Sequence, residues 1–554
     1  MNLVNNRRLL GLLPLLSLCP GLCSHAGAQV WEADPLVAQA LEANVGFVVA
    51  SAGDVDGDGL EDALITNIAA AANRGRMFVV SSSGSGTLLT LTGVLAGDNL
   101  GHSAASLGDV DGDGLSDVVA SAPVLGGSRP GSVTLYSGAN GQPIWTRTGE
   151  ANGDFFGWVV ACAGDVNGDG VQDLAVGAPG HDQPQVNAGK AYVLSGIDGT
   201  VIHSWLGIEG GDSLGSSVGS AGDRDLDGHS EVLLCAVRGG PGDAGQAYVH
   251  AGIDGALLCT LDSLPNGNQY GNYFGGLAGD IDADGIPDVY VIDYLHVGQR
   301  GRMYVYSGAD CSLIHSFRGP VGSSFLFGRV QVGDLDGDGY DDLLLCSAGN
   351  DTGGNDAGAV YLYSGASGEL MGQFNGDEAG LLMGTDCASL GDLDGDGFAD
   401  ILVGVGDVDG GEGGLFLLPT MPAPPQVVCS SEANSSGEPA STGYQGPLSL
   451  AAGAFEILVD DGPGLEQGIL FGGPLLGPLP LGDGVLCLAQ PLTRLETFIF
   501  DSQGATSISP NLTSGGPVSV MIGVPWHFQA WFRDPAPGAS GFNFSDALRV
   551  TFRL

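Results

Sequence analysis

The stretch Gly108–Asp117 reads GDVDGDGLSD, and close relatives of it begin at Gly53, Gly164, Gly222, Gly279, Gly333 and Gly391. Written by position after the leading glycine, the phrase is D-x-D-x-D-G-x-x-D. Oxygen-bearing side chains on alternate residues converge when the chain turns tightly, and a glycine at position six permits that turn. A hard cation needs this arrangement: calcium takes about six to eight oxygens, drawn from positions one, three and five and a backbone carbonyl at seven. Every copy keeps the glycine, at 59, 114, 170, 228, 285, 339 and 397. The expected side-chain ligands are Asp54, Asp56, Asp58 and Asp62; Asp109, Asp111, Asp113 and Asp117; Asp165, Asn167, Asp169 and Asp173; and Asp223, Asp225, Asp227 and Glu231. The remaining loops supply Asp280, Asp282, Asp284 and Asp288; Asp334, Asp336, Asp338 and Asp342; and Asp392, Asp394, Asp396 and Asp400.

Bare Asp-Gly turns would not recur seven times at regular spacing, so calcium is the expected cofactor, at up to seven sites. The last acid falls at position nine and a strand follows, unlike the twelve-residue loop and helix of an EF-hand. The fourth loop departs most, with Arg224 at position two, Leu226 at position four and a longer Glu231, and is expected to bind last or not at all. Catalysis by the ions would need open coordination and a nearby pocket, which seven similar closed loops do not offer. With a dissociation constant of about 0.1 mM and about 1 mM calcium, each site contributes on the order of 1.4 kcal/mol. Seven such sites rival the net stability of a typical domain, so the ions are read as a structural brace.

The loops are 54 to 58 residues apart, and each unit carries four β-type runs. In the third unit these are FGWVVACAGD from Phe156, DLAVGAP from Asp173, GKAYVLSGIDG from Gly189 and TVIHSWLG from Thr200. Seven four-stranded units predict an all-β seven-bladed β-propeller over 29–419. The seventh unit runs into the proline-rich TMPAPPQ without a fourth strand, while the orphan QVWEADP precedes the first. Gln29 to Ala33 is therefore expected to complete blade seven, and deleting residues 29–35 to lower the melting temperature. Residues 420–426 read as a linker and 427–554 as a small β-sandwich-like accessory module, in which Trp526, His527, Trp531 and Phe532 could form a carbohydrate platform or core.

The 554-residue chain has a formal net charge of −47, with 64 acidic and 17 basic side chains, which disfavours nucleic acid and anionic membranes as partners. Its 97 glycines suit turn-dense β structure. Arg7 and Arg8 before the apolar run Leu9 to Leu18, then Ala26-Gly27-Ala28, read as a signal peptide over 1–28 cleaved after Ala28. No other run is long and apolar enough for a membrane span, so a secreted or cell-surface protein is expected. Eight cysteines remain after cleavage; Cys429 with Cys487 is the expected disulfide, and the other six are divided between disulfides and buried apolar residues.

The units resemble the FG-GAP repeat, the building block of the seven-bladed head of integrin α subunits and of many bacterial secreted proteins. Phe156-Gly157 with Gly177-Ala178-Pro179 carries the naming motif, and Phe274-Gly275, Phe327-Gly328 and Ser121-Ala122-Pro123 are partial copies. The resemblance implies calcium loops on one face and adhesion or ligand recognition as the function. Strand alternation puts the second-to-third-strand and inter-blade loops on the other face, with Arg74, Arg76, Arg129, Lys190, Arg238, Arg300 and Arg302 and the aromatics Phe155, Tyr270, Tyr273 and Phe325. Arginine and aromatic residues favour recognition, so an extracellular protein or glycan ligand is expected there. The rival reading is an extracellular polysaccharide- or phosphoester-processing enzyme. Nine scattered histidines without an HExxH motif and carboxylates already claimed by the loops favour a non-catalytic scaffold.

Overall fold

In the computed structural model, the described residues are 46–84, 86–262, 270–293, 301–319, 333–334, 339–376, 378–391, 393 and 399–406, together with strands between 414 and 551 and residues 501 and 505. Five antiparallel four-stranded sheets follow one another along the chain. Blade one is β1–β4 (Val49–Gly53, Asp62–Asn67, Arg76–Val80, Thr87–Thr92), and blade two is β5–β8 (Ala104–Gly108, Asp117–Ala122, Ser132–Tyr136, Pro143–Thr148). Blade three is β9–β12 (Val160–Gly164, Asp173–Ala178, Lys190–Leu194, Val201–Leu206), and blade four is β13–β16 (Leu214–Gly222, Glu231–Ala236, Gln246–His250, Leu257–Asp262). Blade five is β17–β20 (Tyr270–Gly279, Asp288–Asp293, Arg302–Tyr306, Leu313–Arg318). Blades six, β21–β23 (Leu343–Ser347, Ala359–Tyr363, Leu370–Asn375), and seven, β24–β26 (Met383–Ser389, Ile401–Val405, Gly414–Leu418), each show three strands among the described residues.

Each second strand is buried at all six positions in the first five blades, because neighbouring blades cover both of its faces. The fourth strands of blades one to three instead alternate partly buried and exposed residues, as an outer edge requires. Among the described residues, the apolar core of the ring forms seven clusters, one between each neighbouring pair of blades. The last joins Ala388, Leu390 and Leu402 of blade seven to Val49, Ile65 and Phe78 of blade one and so closes the ring. Polar bonds seal the same seam: Val49 N–H donates to Asp386 Oδ2 at 2.9 Å and Thr385 Oγ1 to the Gly46 carbonyl at 3.0 Å. Gln29 to Ala33, expected to complete blade seven, lies outside the described residues.

The glycine that opens each first strand has two reasons to be glycine. Gly157 has φ +86°, and a Cβ there would stand 3.1 Å from both the Ser121 Cβ and a Val133 methyl of the preceding blade. Gly101 against Thr66, Gly271 against Cys235 and Gly384 against Cys346 repeat the contact. The motif glycine therefore sets how closely the blades approach.

Beyond the ring, β27 (Gln426–Cys429), β36 (Phe542–Thr551), β35 (Pro525–Arg533), β30 (Gln467–Gly473) and β33 (Thr493–Ile499) form one sheet in that order. A three-stranded sheet joins β28 (Ser441–Gln445), β29 (Glu456–Asp460) and β34 (Thr506–Ile508), and a hairpin pairs β31 (Leu475–Leu481) with β32 (Gly484–Leu488). The side chains of Cys429, Cys487, Trp526, His527, Trp531 and Phe532 lie outside the described ones.

Among the described residues one disulfide falls within the six cysteines left open by the sequence: Cys259 of β16 is bonded to Cys311 in the third-to-fourth-strand turn of blade five. Cys311 sits at φ +64°, the turn position that Gly141, Gly199, Gly255 and Gly368 fill in other blades. That cysteine in place of the repeat's glycine was the available signal.

Candidate metal centres and the opposite face

In blades one to five each acidic loop leaves an inner strand and re-enters the sheet as the fully buried second strand, and its own backbone orients its carboxylates. In blade two, Asp109 Oδ1 accepts the N–H groups of Gly112 and Asp113 at 2.8 and 3.0 Å, and Oδ2 accepts that of Gly114 at 2.9 Å. Asp111 accepts from Asp113 and Asp113 from Leu115. Asp165, Asn167 and Asp169 repeat this set in blade three.

The ninth-position acid has a different role. Asp62, Asp117, Asp173, Asp288 and Asp342 have no exposure, and Glu231 and Asp400 are nearly as buried. Asp117 Oδ2 accepts from Val110 N at 2.9 Å and Oδ1 from Gly138 N, in the third-to-fourth-strand turn, at 3.0 Å. Asp173 and Asp288 bridge in the same way to Gly196 and Gly308. The loop and that turn therefore share one face, clamped by a buried carboxylate. Burial pushes Asp62, Asp173 and Asp288 up to about 6, although backbone N–H donors pull the other way.

Among the described residues, four loops bring three acids close enough to hold one ion, with an oxygen from each within 4.8 Å of the others: Asp54, Asp56 and Asp58; Asp109, Asp111 and Asp117; Asp223, Asp225 and Glu231; and Asp280, Asp282 and Asp288. Crowded carboxylates repel one another and offer only oxygen, the donor set of a hard cation. These acids fit calcium. In loop six, Asp334 accepts from Gly339 N and Asp342 from Gly365 N; in loop seven, Asp400 accepts from Leu393 N. Asp336, Asp338, Asp392, Asp394 and Asp396 lie outside the described residues.

Loop four gathers Asp223, Asp225 and Glu231 as loops two and five gather theirs, and Arg224 stands at its second position. Position two elsewhere is an apolar peg: Val55 approaches Gly138, and Ile281 approaches Gly365, each in the next blade's turn. Arg224 fills the same slot with its guanidinium directed into blade five. Nε donates to the Gly308 carbonyl at 2.6 Å, and Nη2 reaches Gly308 and the Cys311 sulfur.

Neighbouring loops are also joined directly. Ser116 N donates to the Asp54 carbonyl, Ser230 N to that of Asp165 and Asp341 N to that of Asp280, at 2.8 to 3.0 Å. The first ligand residue of one blade is thus held by the loop of the next.

On the opposite face, several expected recognition groups are already engaged. Arg129 pairs with Asp98 at 2.7 Å and Lys190 with Glu150 at 2.6 Å. Tyr270 is a correction: it is fully buried, and its hydroxyl donates to Tyr306 Oη at 2.9 Å, so it belongs to the core. Arg300 and Phe325 lie outside the described residues. A different aromatic group gathers at the inner rim. His102 lies 5.7 Å from Phe47 and 4.7 Å from Trp158, centroid to centroid, and Trp158 stacks on Tyr273 at 5.4 Å. These rings come from blades one, two, three and five. Phe47, His102 and Trp158 each follow the motif glycine of their repeat, a spacing that could have found them from sequence. Burial pulls His102 down to about 4, against the hydrogen bond between its Nδ1 and the Trp158 carbonyl.

The FG-GAP repeat family matches residues 156–194, and the FG-GAP-like repeat matches 54–120, 280–345 and 334–403. The chain carries FG-GAP repeats. Its FG-GAP ring is 31% identical over 232 residues to integrin alpha-5 of Xenopus laevis, an alignment covering 38% of this chain and 22% of that relative. Integrin alpha-V of Gallus gallus is 31% identical over 207 residues, covering 35% and 20%, and integrin alpha pat-2 of Caenorhabditis elegans is 32% identical over 219, covering 35% and 18%. The chain therefore spans about a fifth of the length of these curated relatives. The FG-GAP ring resembles the integrin α propeller, and no helix among the described residues is long and apolar enough to cross a membrane.

Proposed function

We propose that this is an exported, non-catalytic recognition propeller. Its acidic loops bind calcium as a brace, and its opposite face receives an extracellular protein or glycan. The observation that carries the reading is the division of labour between faces. Carboxylates and turns interlock on one, while the other presents Phe47, which is 45% exposed, and the partly exposed Trp158 and Tyr273 at the centre of the ring. Aromatic side chains with an open edge are favoured at recognition hot spots. Similarity to integrin α subunits supports the same direction. On this reading residues 1–28 direct export, 29–419 form the ring with 29–33 in blade seven, and 427–554 form an accessory module after the linker 420–426.

The enzymatic alternative has one formal motif, Gly215–Gly219 (GSSVG), which fits G-x-S-x-G. A nucleophile elbow, however, exposes its serine on a strand-to-helix turn, whereas Ser217 is fully buried in β13 and donates to the Tyr273 carbonyl. The test is a binding screen of the calcium-loaded full chain against panels of glycans and extracellular proteins, run beside polysaccharide and phosphoester turnover assays. Binding that Trp158→Ala and Tyr273→Ala weaken at least tenfold, while Asp113→Ala spares it at saturating calcium, is the expected result. Turnover of any substrate, or binding indifferent to both aromatic substitutions, would sink the proposal.

A further inference from the structure

We propose that Cys346 and Cys387 are joined as a disulfide that rivets blade six to blade seven. Cys346 lies on the second strand of blade six and Cys387 on the first strand of blade seven, both buried in the apolar cluster between those blades. Their sulfurs stand 2.7 Å apart. Non-bonded carbons, smaller than sulfur, keep about 3.5–4.0 Å, whereas bonded sulfurs stand at about 2.05 Å. The backbone brings the two strands close at this point, since a Cβ on Gly384 would lie 3.1 Å from the Cys346 Cβ.

The interface between blades four and five supplies an independent view of the same slot. Cys235 in EVLLC, four residues after the ninth-position acid Glu231, occupies the place that Cys346 occupies in DLLLC after Asp342. The residue opposite is Gly275, four before Gly279, as Cys387 is four before Gly391. A Cβ built on Gly275 would lie 3.3 Å from the Cys235 sulfur. The repeat thus holds these two positions within one side chain of each other, and only between blades six and seven do both carry cysteine. Stapling of adjacent blades already occurs at Cys259–Cys311.

The chemistry is thiol–disulfide exchange. Two S–H bonds break and one S–S bond forms, and the two electrons and two protons released convert an oxidant such as glutathione disulfide into two glutathione thiols. Because both sulfurs are buried, the bond forms during folding. The full chain is refolded in a glutathione redox buffer until the Cys259–Cys311 peptide is fully linked, then denatured in excess alkylating agent without reductant and digested. The expected product is a Cys346–Cys387 linked peptide that separates on reduction. Recovery of both cysteines as separate alkylated peptides from that sample overturns the proposal. A thermal cycle adds a second readout: Cys346→Ser, Cys387→Ser and the double variant lose the same melting temperature if a covalent bond is broken. Additive losses would mean packing alone.

Discussion

At the scale of single residues, the acids of the loop divide into two kinds that their shared letter conceals. Asp113 is exposed and orients one exposed backbone N–H, whereas Asp117 is buried and accepts from Val110, Asp111 and Gly138. Without metal, Asp117→Ala is expected to destabilise by on the order of 3 kcal/mol, because it strands buried donors. Asp113→Ala should cost less than about 0.5 kcal/mol. In calcium both variants should lose stabilisation, and urea unfolding with chelator and with calcium checks all four values. His102 makes a pH prediction. Its folded value near 4 lies below its ordinary 6.5, so its contribution is complete above pH 6.5. That contribution is lost as pH falls toward 4, because the unfolded imidazole takes a proton that the folded one refuses. The full effect is on the order of 3 kcal/mol. The stability gap between the parent and His102→Phe should therefore narrow from pH 7 to 4.5; a constant gap would count against it.

At the scale of the element, the unit of stability is the contact between blades. Val55, Arg224 and Ile281, at position two of their loops, peg the next blade, and the motif glycine receives the side chain of the preceding one. Gly157→Ala should lose more stability than Gly153→Ala, although both glycines have φ +86°. A Cβ at 157 meets Ser121 and Val133, while one at 153 meets nothing within 4 Å. The backbone conformation costs about 1–3 kcal/mol in both, and the clash adds to it only at 157; thermal unfolding of the pair measures the difference. The four-stranded unit was legible because turn glycines and alternating apolar residues are local signals, seen plainly from Phe156 to Gly207. Arg224 was not legible. Sequence places its charge beside Asp223 and Asp225, but the slot into blade five that receives the guanidinium exists only once two blades have packed.

At the scale of the whole molecule, the inter-blade clusters of the described residues run right round the ring, and on the loop face backbone bonds join loops one to two, three to four and five to six. Removing bound ions should act on all blades together. Chelation is expected to lower the melting temperature by on the order of 10–20 °C, given about 1.4 kcal/mol per site. A calorimetric scan unchanged by chelator would refute the brace. The sequence alone determined the number of blades, the strand order within them and the residues of the acidic loops, because each is written as a repeat whose period and turn chemistry are local. Only the tertiary structure decided which loop acids gather and which are buried clamps, and that Tyr270 is core while Phe47, His102, Trp158 and Tyr273 meet at the axis. It also decided that Cys259 meets Cys311. The aromatic contacts and the disulfide join residues 52 or more positions apart, and the buried clamps join a loop to a turn 20 or more positions on, so they become contacts only when the sheets fold and pack.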